Sequence, residues 1–323
     1  MTASLSAFQR LQQHLETRII GQQGLIRHLL IALLADGHLL VEGAPGLAKT
    51  RAVKELALGL EGDFHRVQFT PDLLPADLTG TEVFRPDRGE FHFQAGPLFH
   101  NLLLADEINR APAKVQSALL EAMAERQITV GQVTHPLPDP FLVMATQNPI
   151  EQEGTYPLPE AQLDRFLLFV RVDYPSAAAE REILALARSE ARGGGQRPGA
   201  PPTILSRDLL LQAREEVLNL HLAASLEEYL VRLVLATRQP APYGTELAGW
   251  VRFGASPRAT IALDRCARAR AWLAGRDFVS PEDLHAVAPE VLRHRILLTF
   301  EAEAAGITSD RFIGELLSRV AVA

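Results

Sequence analysis

The chain has 323 residues, a length that suits one large or two medium-sized domains, and its net charge of −7 argues against a strongly basic nucleic-acid binder. Cys266 is the one cysteine, so an intrachain disulfide is excluded and the residue is expected to pack inside a helix. No apolar run reaches the roughly 18 residues of a membrane-spanning helix, and residues 1–18 lack a signal-peptide core. We therefore expect a cytoplasmic protein.

The first predicted elements surround a glycine-bearing loop. Leucine and phenylalanine at helical spacing predict helices over residues 5–17 and 23–36. An apolar strand is predicted over 38–41 and a helix over 51–58. The loop between these two elements reads Gly43-Ala44-Pro45-Gly46-Leu47-Ala48-Lys49-Thr50. A strand, a loop of this composition and a helix form the arrangement that a phosphate-binding loop requires.

The residue types in this loop suit a nucleoside triphosphate and its metal ion. Gly43 and Gly46 would let the backbone curl so that several N–H groups point inward. Lys49 would reach the β- and γ-phosphates, and the Thr50 hydroxyl would hold Mg²⁺. Ala48 stands where the usual pattern has glycine, which is tolerable if the residue already has helical φ and ψ. The alternative is a plain glycine-proline turn between a strand and a helix.

Strands and helices then alternate along the chain. Two hairpins are predicted, one over 81–93 around a Pro/Gly turn and one over 127–137 with Gly131 near its tip. The other predicted elements are strands at 65–69, 102–105, 141–145 and 166–170 and helices at 112–126 and 160–165. This alternation with short connections predicts a right-handed, mostly parallel α/β sheet.

The β signal fades after a helix predicted over 177–190. The Gly/Pro-rich segment 192–202 is the best linker in the chain. Helical patterns then follow, with Ser-Pro starts at Ser256 and at Ser280, where Asp283 completes a capping box. These patterns cover 206–218, 225–239, 257–274 and 281–291. We therefore divide the chain into an α/β domain, residues 1–192, and an all-α domain, residues 203–323.

Polar side chains follow two of the predicted buried strands. Hydrolysis of a nucleoside triphosphate requires an acidic group for the metal and a group that polarises the attacking water. Asp106 would hold the Mg²⁺ shell and Glu107 would polarise the water; the alternative is two carboxylates that cap a strand end. Asn148 would touch the γ-phosphate from the end of the next strand, unless it only begins a turn before Pro149.

Two arginines are candidates for the negative charge that develops on the transferred phosphoryl group. Arg258 lies in the first turn of a predicted helix, where the helix dipole disfavours a cation, so a contact with a ligand would explain its position. Arg165 follows Asp164 directly, and a surface ion pair between these neighbours is the alternative for it.

At this point the chain resembles the AAA+ ATPases and, within them, the MoxR family, which shares the alanine at position 48. The resemblance covers nearly the whole chain and implies a P-loop AAA+ core, with a parallel sheet flanked by helices, followed by a C-terminal all-α lid domain. The stretches that carry it are Ile20-Gly21-Gln22, Gly43-Ala44-Pro45-Gly46-Leu47-Ala48-Lys49-Thr50, Gln68-Phe69-Thr70-Pro71-Asp72-Leu73-Leu74-Pro75, Asp106-Glu107-Ile108-Asn109-Arg110-Ala111, Ala145-Thr146-Gln147-Asn148-Pro149 and Glu160-Ala161-Gln162-Leu163-Asp164-Arg165-Phe166.

The resemblance also implies a role for each candidate residue. The segment of Ile19, Ile20, Gly21 and Gln22 would line the adenine pocket, and Gln68 would act as a switch for Glu107. The hairpin at 81–93 is similar to the helix-2 insert, and the one at 127–137 to the hairpin before sensor 1. The remaining implied roles are Walker A for Lys49 and Thr50, Walker B for Asp106 and Glu107, sensor 1 for Asn148, an arginine finger on the neighbouring subunit's nucleotide for Arg165, and sensor 2 for Arg258.

As a function, the resemblance implies Mg²⁺-dependent ATP hydrolysis in a hexameric ring with a chaperone-like role, and a separate partner chain that carries a von Willebrand factor A domain. One alternative is a nucleotide-regulated binding module with slow turnover. Another is a ring motor on nucleic acid, which Arg85 and Arg88 in the first hairpin favour. The acidic charge and the absence of a stripe of basic and aromatic residues argue against the motor.

Overall fold

The computed structural model describes residues 2–87, 89–149, 154–192 and 203–322. Arg88 and all but the first residue of the predicted linker 192–202 lie outside the described residues. In the part of the chain that is described, no helix is long and apolar enough to cross a membrane.

Two helices come first, as the leucine spacing predicts. Helix α1 (Ala3–Arg18) begins at Thr2, whose side chain accepts a hydrogen bond from the Leu5 N–H at 3.3 Å. Helix α2 (Gln23–Leu34) buries eight of its twelve residues, because it is covered on more than one side.

The next elements alternate in the predicted way. The strand predicted at 166–170 lies two residues later, because Phe166 and Leu167 belong to the turn before it. The elements in chain order are β1 (Leu39–Gly43), α3 (Lys49–Gly59), β2 (Phe64–Gln68), α4 (Pro75–Thr79), β3 (Gly80–Arg85), β4 (Glu90–Ala95), β5 (Leu102–Asp106), α5 (Ala113–Glu125), β6 (Gln127–Val130), β7 (Val133–Pro136), β8 (Leu142–Gln147), α6 (Glu160–Leu163), β9 (Leu168–Val172) and α7 (Ala177–Arg192).

The central sheet has five parallel strands in the order β2-β5-β8-β1-β9. Leu39 of β1 pairs with Met144 of β8 on one side and with Leu168 of β9 on the other. Successive residues of a strand enter different hydrophobic layers: Leu102 and Leu104 face one layer and Leu103 the other. Because both faces are buried, the strands are apolar throughout, and their carboxyl ends meet at one edge.

Two antiparallel hairpins confirm the two predicted hairpins. Strands β3 and β4 pair from Gly80↔Ala95 to Arg85↔Glu90, and β6 pairs with β7 around Gly131, whose φ is +62°. The hairpins touch each other, since the rings of Phe93 and His135 stack with centroids 4.0 Å apart.

The C-terminal region is helical, as predicted, with one departure from an all-α unit. Strands β10 and β11 form a short antiparallel pair that brings Val251 beside Leu298. Helix α14 was not predicted, although Phe312, Ile313 and Leu316 on its buried face have helical spacing. The elements are α8 (Arg207–Leu218), α9 (Ala224–Arg238), α10 (Thr245–Trp250), β10 (Val251–Phe253), α11 (Pro257–Leu273), α12 (Pro281–Leu292), β11 (Leu297–Leu298), α13 (Phe300–Ala304) and α14 (Ser309–Arg319).

The larger hydrophobic layer continues from the sheet into the C-terminal helices. Helices α1 and α2 lie between them and contact α8 and α11. Leu11 of α1, Leu210 of α8 and Leu263 of α11 belong to one cluster of buried side chains. Cys266 lies in the same cluster, as predicted, and burial raises the pKa of its thiol. The sequence division at 192–203 therefore marks a change of secondary structure within one continuous core.

Candidate functional site

The loop between β1 and α3 lies at the carboxyl edge of the sheet and contains two left-handed residues. Gly46 has a φ of +84°, and Ala48 has φ +59° and ψ 13°. The expectation of helical φ and ψ for Ala48 is therefore wrong. Ala48 is the N-cap of α3, and its carbonyl accepts the Ala52 N–H at 2.9 Å. The left-handed conformation explains why glycine is the usual residue here.

Gly43 has a different reason to be glycine from the one predicted. It is the last residue of β1 and pairs with Val172 of β9, so the backbone does not curl at this point. A Cβ on Gly43 would lie 2.8 Å from the carbonyl oxygen of Val172. Close approach of two strands therefore requires glycine at position 43, while the curl of the loop depends on Gly46.

Lys49 points back over the loop, and its Nζ donates a hydrogen bond to the Gly43 carbonyl. Its side chain is buried. Burial lowers the pKa of Lys49, and the nearby carboxylates of Asp106, Glu107 and Glu42 oppose that shift. The loop therefore holds a partly desolvated cation that faces acidic groups, which is suited to an anionic ligand.

Asp106 ends β5 and is nearly buried. Its Oδ1 accepts the Thr146 hydroxyl at 2.6 Å. Its Oδ2 accepts two N–H groups of Arg66, from Nε at 3.1 Å and from Nη2 at 2.7 Å. Both carboxylate oxygens are thus hydrogen-bonded within the protein, which fixes the direction in which they point.

Glu107 has a left-handed backbone, with φ +58° and ψ 50°. Its N–H donates to the Thr146 hydroxyl at 2.9 Å. Its carboxylate accepts Gln68 Nε2 at 2.7 Å and Arg110 Nη1 at 3.1 Å. Gln68 therefore contacts Glu107, for which the resemblance implies that it acts as a switch.

Two adjoining cavities share the loop. The first, of about 390 Å³, contains Lys49, Thr50, Asp106, Glu107 and the buried Asn148, so most of the predicted polar residues meet in one place. Thr50 and Asp106 supply hard oxygen donors, which fit Mg²⁺. The other residues around this cavity are Pro45, Gly46, Leu47, Ala48, Arg51, Arg66 and Gln68.

The second cavity, of about 380 Å³, lies on the other side of the loop and is more apolar. Ile20 lines it, as predicted, together with Ile183 and Leu186 of α7. Gly21 instead packs against the start of α7, where an added Cβ would lie 2.9 Å from the Cβ of Ala179. A polar cavity beside an apolar one suits a molecule with phosphates at one end and an aromatic base at the other.

A third cavity is larger, at about 520 Å³, and lies between Thr2, Glu216 of α8 and Trp272 of α11. The Glu216 carboxylate there already accepts hydrogen bonds from Thr2, Ser4, Gln212 and Trp272. The glycine loop and the carboxylate pair lie elsewhere, so we place the functional site at the two smaller cavities.

Comparison with known proteins gives the family of the chain. Residues 38–168 match the model of the ATPase family associated with various cellular activities (AAA), and residues 248–316 match the AAA lid domain. The chaperone MoxR1 of Mycobacterium tuberculosis is 48% identical over 323 residues, which cover 100% of this chain and 84% of that protein. The chain belongs to the MoxR family of AAA+ ATPases.

Two further relatives support the assignment to the MoxR family. The protein MoxR of Methylorubrum extorquens is 33% identical over 93% of this chain and 91% of that protein. A solved structure of a proposed ATPase from Cytophaga hutchinsonii is 46% identical, covers 99% of this chain and 96% of its own, and superposes with a TM-score of 0.90. The fold expected from the resemblance, a parallel sheet flanked by helices with a helical lid, is confirmed.

The two arginines of the MoxR-type motifs have partners outside the loop. Arg165 Nη1 donates to the carbonyl of Leu120 at 2.7 Å. The ion pair considered between Arg165 and Asp164 is replaced by others, because Asp164 binds Arg258 at 3.2 Å and Arg295 at 2.9 Å. Neither Arg165 nor Arg258 is one of the described residues that line the two smaller cavities.

Sequence reasoning missed two residues at the centre of this MoxR-family site. Thr146 lies one position beyond the Ala105↔Ala145 pair, beside Asp106, so strand register would have indicated it. Arg66 lies two residues before Gln68 on β2, and strand alternation places both on the same face. Gln22 lines the second cavity, as predicted, and Arg18 and Tyr174 line it too, although the sequence gave no sign of them.

Proposed function

We propose that the protein is a Mg²⁺-dependent ATPase that remodels, assembles or activates partner protein complexes in the cytoplasm. The observation that supports this most is the meeting of Lys49, Asp106 and Glu107 around one cavity beside the loop. A chaperone-like role is supported by the name of the Mycobacterium tuberculosis relative.

Each residue of the cavity has a part in the proposed hydrolysis. Lys49 and the backbone N–H groups of the loop bind the β- and γ-phosphates. Thr50 and Asp106 hold Mg²⁺, which neutralises phosphate charge when it is bound. Glu107 polarises the attacking water, and Asn148 orients it.

Gln68 controls when Glu107 acts. Its Nε2 donates to Glu107 Oε2 at 2.7 Å, which competes with a water molecule for that oxygen and makes it less basic. The same contact favours a second candidate function, a nucleotide-regulated binding module in which slow turnover only sets the conformation. A low rate of phosphate release in the wild type that rises several-fold in a Gln68→Leu variant would support a regulated ATPase over the slow module.

The complete catalytic site is proposed to form between subunits of a hexameric ring. Arg165 is held at the Leu120 carbonyl and Arg258 at the Asp164 carboxylate, and neither residue lines the two smaller cavities. We assign Arg165 to the nucleotide of the neighbouring subunit as arginine finger, and Arg258 to the role of sensor 2 on the helical lid. A separate chain with a von Willebrand factor A domain is the proposed partner.

The proposed chemistry is tested by comparing Glu107→Gln with Lys49→Ala. Because general-base catalysis contributes about 10²- to 10⁴-fold, Glu107→Gln should bind ATP normally and release phosphate at least about 100-fold more slowly. Lys49→Ala should lose nucleotide affinity. The readouts are binding of a fluorescent ATP analogue and phosphate release, with the exposed Glu125→Gln as matched control. Normal turnover by Glu107→Gln would reject Glu107 as the base.

A further inference from the structure

Arg66 contacts Asp106 and Gln68 in the site, and the proposed chemistry does not use it. Two of its N–H groups converge on Asp106 Oδ2, at 3.1 and 2.7 Å. The same Nη2 donates to Gln68 Oε1 at 3.0 Å, and Gln68 in turn donates to Glu107 at 2.7 Å. One guanidinium therefore links both carboxylates of the site, Asp106 directly and Glu107 through Gln68.

The electrostatics explain why a cation lies at this position. The Asp106 side chain is only 12% exposed, and a carboxylate so far removed from water needs a partner of opposite charge. Lys49 is directed to the Gly43 carbonyl, so Arg66 is the cation in contact with Asp106 among the described ion pairs. Oδ1 is taken by the Thr146 hydroxyl, and Oδ2, the other oxygen available to a metal, is taken by Arg66.

Arg66 is also free to move away from this position. Its side chain is 48% exposed, and it lies on β2, which is an edge strand of the sheet. Gln68 on the same strand is exposed as well. Both side chains can therefore change rotamer without disturbing the core, which makes the contact with Asp106 reversible.

We propose that Arg66 is a counter-cation for Asp106 that must withdraw from Oδ2 before the carboxylate can take part in holding Mg²⁺. This inference rests on the proposed function. On withdrawing, Arg66 also leaves Gln68, so the hydrogen bond that restrains Glu107 loses its anchor. Arg66 is thus a positioning residue that links the state of Asp106 to the freedom of Glu107.

The experiment measures the Mg²⁺ concentration needed for half-maximal tightening of N-methylanthraniloyl-ADP binding. Wild type is compared with Arg66→Gln and with Arg51→Gln. Arg51 lines the same cavity and carries the same charge, but its ion pair is with the exposed Glu190. Because a hydrogen bond to a charged group is worth a factor of ten or more, Arg66→Gln should lower the half-saturating Mg²⁺ concentration about tenfold, and Arg51→Gln at most about twofold.

Each other outcome overturns the inference in a recognisable way. An unchanged or higher half-saturating concentration in Arg66→Gln shows that Arg66 does not compete for Asp106. An equal decrease in both variants shows a general effect of charge in the cavity. If wild type binds the ADP analogue with no dependence on Mg²⁺, the wild-type curve alone rejects the proposed Mg²⁺ site, and the role of Arg66 with it.

Discussion

At the scale of single residues, Thr146 decides how the two carboxylates of the site are presented. Its hydroxyl donates to Asp106 Oδ1 at 2.6 Å and accepts the Glu107 N–H at 2.9 Å. The residue is 1% exposed, so water cannot replace it. One threonine on β8 therefore fixes the side chain of Asp106, the last residue of β5, and the left-handed backbone of Glu107, which follows it.

We predict that Thr146→Val, which keeps the shape and removes the hydroxyl, lowers kcat about 10- to 100-fold, because small displacements of catalytic groups have effects of this size. Stability should fall by about 1–3 kcal/mol, since the Glu107 N–H and one Asp106 oxygen lose their partner in a buried site. Steady-state phosphate release and urea unfolding measure the two effects. Thr129→Val, in the β6–β7 hairpin, is the matched control, and equal effects in both variants would contradict the prediction.

A second residue-scale prediction concerns His38, which is buried between the sheet and α5. Its Nδ1 accepts the Val143 N–H at 3.1 Å, so its Nε2–H faces the Met123 carbonyl at 3.3 Å. The neutral ring is therefore fully hydrogen-bonded, and a second proton would point at an N–H group. Burial, with the nearby Arg126, lowers the pKa of His38 to about 4.

The depressed pKa of His38 sets the sign of a pH effect. Below pH 6.5, His38 becomes protonated in the unfolded chain but stays neutral in the folded chain. Its contribution to the free energy of unfolding is therefore complete above pH 6.5 and is lost as the pH falls toward 4. Through His38, the free energy of unfolding should be about 2 kcal/mol lower at pH 5 than at pH 7.5. Urea unfolding of wild type, His38→Asn and the exposed His92→Asn measures it. The idea fails if His38→Asn keeps the wild-type dependence on pH.

At the scale of elements, the loop before α3 shows how a local conformation is imposed by its neighbours. Ala48 has a left-handed backbone, although alanine disfavours this conformation by about 1 kcal/mol or more, and α3 begins immediately after it. Gly46, two residues earlier, is also left-handed, so the loop turns twice. The favourable packing of α3 on the sheet offsets this strain.

We predict opposite outcomes for glycine at two positions of this segment. Ala48→Gly should change the free energy of unfolding by less than about 0.5 kcal/mol or raise it, because glycine relieves the left-handed strain. Ala57→Gly, inside α3, should lower it by about 1 kcal/mol. Urea unfolding compares the two variants. If Ala48→Gly proves as destabilising as Ala57→Gly, residue 48 is helical in solution.

At the scale of the whole molecule, buried charges connect the C-terminal helices to the Arg165 segment. Arg295 is almost fully buried and donates to the Asp164 carboxylate and to the carbonyls of Phe166 and Leu167. The Asp164 carboxylate also accepts the Ser256 hydroxyl at 2.8 Å. A movement of the helical lid would therefore carry the backbone next to Arg165 with it.

The assignment of Arg165 to a neighbouring subunit predicts complementation between inactive variants. Lys49→Ala and Arg165→Ala should each be inactive, because one lacks the phosphate contact and the other the arginine. When the two variants are mixed one to one and form rings with head-to-tail interfaces, about a quarter of the sites have an intact Lys49 and an intact Arg165 from the neighbour. Phosphate release should therefore recover in the mixture, and no recovery would place Arg165 within its own subunit.

The sequence by itself determined the elements of the core and the identity of most site residues. Apolar runs bounded by glycine, proline and polar residues predict strands β1, β5 and β8, because a strand covered on both faces must be apolar throughout. Lys49, Asp106 and Asn148 come at or after the carboxyl ends of three predicted parallel strands, which places them at one edge, because parallel strands align their carboxyl ends.

Only the tertiary structure decided what these residues touch. The contact of Arg66 with Asp106 depends on the neighbour that β2 pairs with, and the position of Thr146 depends on strand register. The pairing of Asp164 with Arg258 and Arg295 joins residues 94 and 131 positions apart, and no local pattern records such a contact. Local periodicity follows from the geometry of one strand or helix, whereas these contacts follow from how separate elements pack.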